Sequence, residues 1–361
     1  MKKKILISTG GSGGHVVPGT IFYEHLQDKF DIFMFTDLRG INFLEKDKYN
    51  IKILDITRVS KNIFLLPFQF ISICYSLLKA LFFIKKNKIQ ALISTGGYMS
   101  VPLCLASKIL NIRLFLFEPN MVLGRSNKFF IKDCEKIFCY SYKIKGFPNK
   151  FTNKISIIPT LLRKEFYSIQ KIDTINKDVN LLIIGGSQGA KLFDTIIQSS
   201  IIDLSKKYRF KVYQQTNQKN FQSLKLFYQA NEVKHELFDF NENISALMSK
   251  ANICLTRAGA STLAELVFLN IPHLAIPLPT AKDNHQFENA FFYNQHGCNW
   301  ILNQKEINNN NLTNKLCNII DNKEVYLSKK KNMKNFSYQN TWNNVNQKII
   351  STINENRISK N

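Results

Sequence analysis

Short apolar runs that end in glycine-rich turns recur along the chain, and each is followed by apolar residues at helical spacing. The clearest run, residues 5–8, leads into Gly10 to Gly14 and then into a helical pattern that ends near Leu26. Three further runs lie at residues 91–94, 181–184 and 253–256. Strand, turn and helix in alternation are typical of parallel sheets covered by helices. The pattern therefore predicts two doubly wound, Rossmann-like α/β domains.

A polar stretch after residue 158 separates the two halves of this pattern. We therefore predict one domain over residues 1–160 and a second over residues 161–337. The last stretch, about residues 338–361, places Trp342, Val345 and Ile349 on one face of a helix, which we expect to pack back on the first domain. The asparagine-rich run at residues 308–311 predicts a loop.

The glycine turns match neither common nucleotide fingerprint. The first lacks the third glycine of G-x-G-x-x-G, and the turn at residues 185–189 is not followed by the lysine and hydroxyl residue of a P-loop. Small residues nevertheless stand where a strand enters a helix, and amides at a helix N-terminus favour a phosphate group. The alternative is that the glycines serve only a tight turn. His15 follows the first turn, so it is either a general base or an ordinary residue at the start of a helix.

Two polar segments in the second half carry candidate sugar contacts. Residues 256–265 combine small and hydroxyl side chains with Glu265, whose carboxylate is able to accept hydrogen bonds from a ribose diol. The alternative is an acid that stabilises the helix dipole. Downstream, Asp283, His285, Gln286 and Asn289 form a polar cluster that suits a sugar or, alternatively, an ordinary polar loop.

The chain has 361 residues with 49 basic and 26 acidic side chains, which gives a formal charge of +23. This excess favours anionic partners such as phosphorylated substrates, acidic lipid or nucleic acid. A compositional bias toward Lys, Ile, Asn and Phe is a second explanation for part of it.

Residues 63–84 are as long and apolar as a membrane span, which needs about 20 residues. Pro67, Gln69 and Lys79 interrupt the segment, and a span there would divide the sheet of one domain. With Lys85, Lys86 and Lys88 after it, the segment predicts a helix that lies on an anionic membrane surface. The alternative is a buried helix of the first domain.

Metal and disulfide chemistry find little support in the sequence. The seven cysteines include no C-x-x-C pair, and neither H-E-x-x-H nor D-x-D occurs. The apolar run near the N-terminus is too short for the core of a signal peptide. We therefore expect no metal, no disulfide framework and a location on the cytoplasmic side of the membrane.

Five motifs, in order and spacing, resemble the MurG family of peptidoglycan N-acetylglucosaminyltransferases over nearly the whole chain. They are Gly10 to His15, Gly96 to Tyr98, Gly185 to Ala190, Arg257 to Ala260 and Lys282 to Asn289. The resemblance implies a GT-B fold, in which two Rossmann-like domains face each other across a cleft. It implies an inverting enzyme without metal or other cofactor, which moves N-acetylglucosamine from UDP-N-acetylglucosamine to the C4 hydroxyl of the muramoyl sugar of undecaprenyl-linked lipid I.

The same resemblance implies roles for particular residues. His15 is the favoured general base, with Glu118 as its rival or helper. The residues implied to contact UDP-N-acetylglucosamine or to lie beside the acceptor are Ser12, Gly13, Gly14, Asn120, Arg163, Ser187, Asn241, Ala260, Ser261, Thr262, Leu263, Ala264, Glu265 and Gln286. The implied partners are UDP-N-acetylglucosamine, lipid I and an anionic membrane surface met through residues 63–88, with no nucleic acid. The implied location is peripheral, on the cytoplasmic face of the inner membrane.

The chain departs from the family pattern at three places, and other functions fit parts of it. Pro119 replaces a glutamine, residues 159–162 replace Gly-Asn-Pro-Val, and His285 replaces the first of two glutamines. Another lipid acceptor, such as diacylglycerol, would suit the same fold. A UDP-sugar epimerase would not need the apolar segment at residues 63–84, which weighs against that function. A nucleic-acid-binding protein would interleave aromatic with basic residues, and the basic runs of this chain lack that pattern.

Overall fold

The computed structural model describes residues 2–45, 47–54, 66–169, 178–185, 193–239 and 244–355, with the side chains of residues 66–68 left aside. The chain divides into two compact units. The first consists of Met1–Arg163 together with Trp342–Asn361, and the second of Lys164–Thr341. The sequence predicts a boundary after residue 160, and the division falls three residues later.

A seven-stranded parallel sheet forms the first unit, in the order β3-β2-β1-β4-β5-β6-β7. Its strands are β1 (Lys4–Ser8), β2 (Asp31–Thr36), β3 (Ile51–Ile53), β4 (Ala91–Ser94), β5 (Arg113–Glu118), β6 (Lys136–Cys139) and β7 (Ile155–Ile157). Its helices are α1 (Gly13–Leu26), α2 (Leu66–Asn87), α3 (Ser100–Ile109), α4 (Arg125–Phe130) and, from the end of the chain, α12 (Trp342–Asn354). The strand order reverses between β1 and β4, and ligands of doubly wound sheets bind at such a reversal, beyond the carboxyl ends of the strands.

Alternate residues of these strands enter two apolar cores, one on each face of the sheet. Leu6 packs in one core with Ala80 and Ile84 of α2. Ile5 and Ile7 pack in the other, which contains side chains of α1 and α12. Burial on both faces explains why the strands read as unbroken apolar runs.

A six-stranded parallel sheet forms the second unit, in the order β10-β9-β8-β11-β12-β13. Its strands are β8 (Asp178–Ile184), β9 (Arg209–Gln215), β10 (Lys234–Phe238), β11 (Ile253–Thr256), β12 (His273–Ala275) and β13 (Trp300–Ile301). Its helices are α5 (Gln198–Lys207), α6 (Gln218–Ala230), α7 (Ile244–Met248), α8 (Ala260–Phe268), α9 (His285–Gln295), α10 (Asn309–Asp321) and α11 (Lys323–Ser337). Short 3₁₀ turns occur in both units. Those of the first unit lie at Gly40–Phe43 and Asn149–Lys154, and those of the second lie at Lys164–Ser168, Lys282–Asn284 and Gln304–Glu306. The prediction of two doubly wound α/β units is confirmed.

The predicted loop at residues 308–311 is wrong, because helix α10 begins there. The side-chain oxygen of Asn308 accepts a hydrogen bond from the amide of Asn311 at 2.8 Å. Asparagine is a favoured N-cap because its side chain satisfies an amide that the helix leaves open. The same residue type that favours loops therefore starts a helix here.

Helix α2 is amphipathic rather than buried on all sides. Ala80 and Ile84 enter the core, while the opposite face exposes large apolar side chains. These are Phe70, Ile71, Tyr75, Leu78 and Phe82, which we call the α2 apolar face. Among the described residues, no helix is both long enough and apolar enough to cross a membrane. Residues 63–65, at the start of the predicted interfacial segment, lie outside the described residues.

Candidate active site

The turn after β1 presents open backbone amides at the start of α1. Gly11 has φ of +83°, a left-handed conformation that an L side chain adopts only with strain. Ser12 precedes the helix in extended conformation, and within the described chain its side chain makes no capping hydrogen bond. The first turn of α1, which includes Gly13 and Gly14, contains no acidic residue. The amide of His15 already donates to the carbonyl of Ser12, so it is the amides of Gly13 and Gly14, with the helix dipole, that suit an anionic or electron-rich group.

The imidazole of His15 packs against the turn that follows β4. Its Nδ1 lies 2.8 Å from the carbonyl oxygen of Thr95. A Cβ atom built on Gly97 would lie 3.4 Å from Nε2, so a larger residue there would crowd the ring. Because a carbonyl oxygen only accepts, Nδ1 carries the proton, and the lone pair of the neutral ring resides on Nε2. This tautomer is the one that a base acting through Nε2 requires.

Glu118 lies at the end of β5 and is only 2% exposed. One carboxylate oxygen accepts hydrogen bonds from the amide and the side chain of Asn120, at 3.2 and 3.1 Å. The other accepts from the amide of Gly124 at 2.7 Å and from Asn127 Nδ2 at 3.0 Å. Burial raises the pKa of Glu118, and these four hydrogen bonds oppose the shift in part.

Asn127 connects the surroundings of Glu118 to those of His15, and the sequence analysis missed it. Its Nδ2 also donates to the carbonyl of Phe117 at 2.9 Å. A Cβ atom built on Gly96 would lie 3.7 Å from the Asn127 amide and 3.6 Å from Cε1 of His15. The structure thus brings His15, Glu118 and Asn120 to the carboxyl ends of neighbouring strands. No sequence motif marks Asn127, because its contacts depend on the packing of α4 on β5.

In the second unit, the turn between β11 and α8 has the same form. Gly259 precedes α8 in extended conformation, and the first turn of the helix has no acidic residue. Ala260, Ser261 and Thr262 are partly exposed in that turn, whereas Leu263 and Ala264 are buried. Glu265 follows one turn into the helix and is 8% exposed. The predicted phosphate and ribose contacts therefore share one helix start.

Gln286 fastens two loops of the second unit to each other. Its Oε1 accepts hydrogen bonds from the amides of Ala258 and Leu278, at 3.2 and 3.0 Å. The side-chain oxygen is therefore engaged by the main chain, and the amide NH₂ is the group able to donate to a sugar hydroxyl. Just before it, Asp283 and Asn284 both adopt left-handed backbone conformations, with φ of +53° and +57°. Consecutive residues of this kind hold the loop in a specific shape.

Arg257 is a buried cation within one of the five motifs, and the sequence alone predicted no separate role for it. It is 5% exposed, and its guanidinium donates to the carbonyls of Ile276 and Pro277 and to Gln304 Oε1, at 3.1, 3.3 and 2.9 Å. Burial lowers the pKa of Arg257 to about 10, so it stays charged at neutral pH. Arg257 therefore adds positive potential beside the start of α8 and ties that turn to the loop after β12.

The predicted ligand contacts of three residues, Arg163, Ser187 and Asn241, are neither confirmed nor contradicted by the structure. Ser187 and Asn241, together with most of the second glycine turn, lie outside the described residues. Arg163 ends the first of the two segments that make up the first unit, and it is partly buried. Its contact with a diphosphate stays a prediction.

Metal ligands are not gathered in the part of the chain that the structure describes. No group of three or more His, Cys, Asp or Glu side chains in these residues could hold an ion. All seven cysteines are free thiols. The chemistry that the described residues offer is an imidazole held through Nδ1, buried carboxylates and two helix starts.

Comparison with known proteins identifies the family. Residues 5–139 match the glycosyltransferase family 28 N-terminal domain, and residues 180–344 match the family 28 C-terminal domain. A protein of Pelagibacter ubique, named UDP-N-acetylglucosamine–N-acetylmuramyl-(pentapeptide) pyrophosphoryl-undecaprenol N-acetylglucosamine transferase, is 62% identical over 99% of this chain and 100% of its own length.

Two solved structures share the fold. The crystal structure of Acinetobacter baumannii MurG is 24% identical over 92% of this chain and 95% of its own, with a TM-score of 0.72. A UDP-GlcNAc 2-epimerase from Neisseria meningitidis, bound to UDP-GlcNAc, is 16% identical over 98% of this chain and 100% of its own, with a TM-score of 0.68. The GT-B fold is thereby confirmed, but transferases and epimerases share it, so the sequence relationship decides between them. On that relationship, the chain belongs to glycosyltransferase family 28 and, within it, to the MurG family.

Proposed function

We propose that this enzyme transfers N-acetylglucosamine from UDP-N-acetylglucosamine to the C4 hydroxyl of the muramoyl sugar in undecaprenyl-diphosphate-linked lipid I. The relationship to the Pelagibacter protein, 62% identity over 99% of the chain, carries this proposal. The orientation of His15 supports it, because a positioned imidazole beside an open helix start suits removal of a proton from a hydroxyl.

In the proposed reaction, the acceptor O4 forms a bond to the anomeric carbon of the donor. The bond from that carbon to the diphosphate oxygen breaks, and UDP leaves with the electron pair. His15 Nε2 takes the proton from O4, and the Thr95 carbonyl stabilises the resulting imidazolium through Nδ1. Attack from the face opposite the leaving group inverts the anomeric centre. No step requires a metal ion.

Glu118 serves this reaction by positioning rather than by accepting the proton. Its two oxygens already accept four hydrogen bonds, and the side chain is buried. These bonds shape the segment from Asn120 to Gly124 and orient Asn127, which lies beside the His15 turn. We therefore assign the base role to His15 and the support of its surroundings to Glu118.

For the donor, we assign the diphosphate to the start of α8 and the ribose hydroxyls to Glu265. The open amides there stabilise negative charge as UDP departs, and the charge of buried Arg257 adds to that field. Gln286 would donate its NH₂ to a hydroxyl of the N-acetylglucosamine. Ser187 and Asn241 remain predicted donor contacts.

For the acceptor, we propose that the α2 apolar face rests on the anionic inner leaflet at the cytoplasmic face of the membrane. Lys79 lies over the ring of Tyr75 at 4.3 Å and Lys86 over that of Phe82 at 5.7 Å, which sets cations beside exposed aromatic rings. Each lysine near an anionic surface contributes about 1 kcal/mol. The family resemblance implies a lipid-anchored acceptor, undecaprenyl-linked lipid I, so this face would bring the enzyme to the membrane that holds its substrate.

The test is transfer of labelled N-acetylglucosamine from UDP-N-acetylglucosamine to a lipid I analogue in the presence of EDTA. Product supports the donor, the acceptor and the metal-free reaction together. Transfer to diacylglycerol instead would overturn the acceptor assignment alone. Failure to bind UDP-N-acetylglucosamine by folded protein would overturn the donor assignment as well.

A further inference from the structure

Asp37 is a buried carboxylate that the proposed reaction does not use. It follows β2 and is 3% exposed. Its Oδ1 accepts hydrogen bonds from the amide of Gly11, in the turn after β1, and from the amide of Gly40, both at 2.8 Å. One oxygen thereby holds two separate turns of the main chain.

The second oxygen of Asp37 reaches the turn after β4. The hydroxyl of Tyr98 donates to Oδ2, and Nε of Arg39 lies 3.5 Å from the same oxygen. The Arg39 guanidinium also donates to the Tyr98 hydroxyl and stands 5.0 Å from the centre of its ring. The hydrogen bonds from Tyr98, Gly11 and Gly40, aided by Arg39, outweigh the cost of burial and lower the pKa of Asp37.

The main chain closes tightly around this carboxylate. A Cβ atom built on Gly10 would lie 2.8 Å from Asp37 Oδ1, and one built on Gly40 would lie 2.1 Å from Thr36 Oγ1 and 2.9 Å from Asp37 Oδ1. These distances are shorter than real Cβ contacts, so a larger residue at either position would have to displace the buried side chains. Two glycines thus serve the approach of a carboxylate to the backbone, a constraint separate from any ligand.

Of the three turns that Asp37 contacts, those after β1 and β4 lie on either side of His15. The first leads directly into His15, and the second contributes the Thr95 carbonyl and the Gly97 backbone against the ring. A shift of either turn would move Nε2 relative to the acceptor hydroxyl. Misplacement of a catalytic group by about 1 Å is able to cost on the order of 10²-fold in rate.

We propose that Asp37 is a positioning residue that holds the turns after β1 and β4 in register on either side of His15. This inference rests on the proposed role of His15 as base. Asp37 touches neither substrate in this scheme and acts only through the turns.

The test compares Asp37→Ala and Asp37→Asn with a control variant, Asp31→Asn. Asp31 lies at the start of β2, the strand that Asp37 follows, and its side chain is 47% exposed. Alanine leaves the amides of Gly11 and Gly40 without their acceptor, whereas asparagine keeps one oxygen for them. We expect Asp37→Ala to lower kcat at least about tenfold with the KM for UDP-N-acetylglucosamine within about twofold. Asp37→Asn should recover part of the loss, and Asp31→Asn should match the unaltered enzyme.

Two further readouts separate positioning from general destabilisation. In a His15→Ala background, Asp37→Ala should cost less than about twofold in kcat, because the group that it positions is gone. Hydrogen–deuterium exchange should rise in the peptides covering residues 9–16 and 94–99, and at Gly40, whose amide loses the same acceptor, and should stay unchanged elsewhere. Should Asp37→Ala not fold, Tyr98→Phe removes only the hydroxyl bridge and should show a smaller loss of kcat with faster exchange at residues 94–99.

An equal loss of kcat in the presence and absence of His15 would overturn the proposal, as would unchanged exchange in both peptides. If the unaltered enzyme makes no product, the proposed function fails. The exchange experiment then still decides whether Asp37 orders the two turns.

Discussion

His25 offers a stability prediction that the structure makes quantitative. It lies in the last turn of α1, is 1% exposed, and stacks on Trp342 of α12 with ring centroids 3.7 Å apart. Neither ring nitrogen has a hydrogen-bond partner in the described structure. Burial lowers the pKa of His25 from 6.5 to about 3. The folded protein therefore keeps this ring neutral at pH values where the unfolded chain protonates it.

The sign of the effect follows from this difference. Well above pH 6.5 the ring of His25 is neutral in both the folded and the unfolded state, so it does not change the free energy of unfolding. As the pH falls below 6.5, the unfolded state binds a proton on this ring and the folded state does not. With pKa values of 6.5 and about 3, the free energy of unfolding falls by about 2 kcal/mol between pH 7.5 and pH 5.0 through this residue alone. The loss continues until the pH approaches the folded pKa.

The assay uses the two tryptophans of the chain, Trp300 and Trp342. In a Trp300→Phe background, Trp342 is the sole tryptophan and reports unfolding of the first unit in urea. His25→Phe keeps an aromatic ring against Trp342 and removes the titration. We expect the decrease in unfolding free energy from pH 7.5 to pH 5.0 to be about 2 kcal/mol smaller in His25→Phe than in its parent.

Titration of carboxylates at pH 5.0 affects parent and variant alike and cancels in this difference. An identical pH dependence in His25→Phe and its parent would refute the account of His25 as a buried neutral ring.

Three further variants test the site and the α2 apolar face. His15→Ala should lower turnover by about 10²- to 10⁴-fold while calorimetry shows unchanged affinity for UDP-N-acetylglucosamine, and unchanged turnover would remove His15 as base. Arg257→Lys loses the planar group that bridges Ile276, Pro277 and Gln304, so affinity for UDP-N-acetylglucosamine should fall about tenfold; equal affinity in a titration would contradict this role. Phe70→Ser combined with Phe82→Ser should reduce sedimentation with anionic vesicles while a water-soluble acceptor analogue is still turned over, and undiminished sedimentation would place the membrane contact elsewhere.

The strands and glycine turns were predictable because they depend on local sequence. A strand buried on both faces reads as an apolar run, and Gly11 is required by its own backbone conformation. Asp37 was not predictable, since its partner Gly11 lies 26 positions away and the contact exists only after β1 and β2 pair.

The roles of other polar residues inside the fold were likewise not predictable from the local sequence. Asn127 and Arg257 gain their roles from neighbours that the packing of helices on the sheets brings to them. Asn308 has the composition of a loop but the geometry of a helix cap. Residue types therefore predicted which chemical groups the chain contains. Contacts between residues far apart in the sequence determine what each of these groups does in the fold.

The return of α12 to the first unit has a consequence for synthesis on the ribosome. The core on one face of the first sheet includes Val345, Ile349 and Ile353, which are made after the whole second unit. The second unit is continuous in sequence and is complete once Thr341 has emerged, whereas the first waits for the last helix. The usual order, in which the N-terminal domain is finished first, is thus reversed. The apolar surface under α12 stays exposed until that helix has been made.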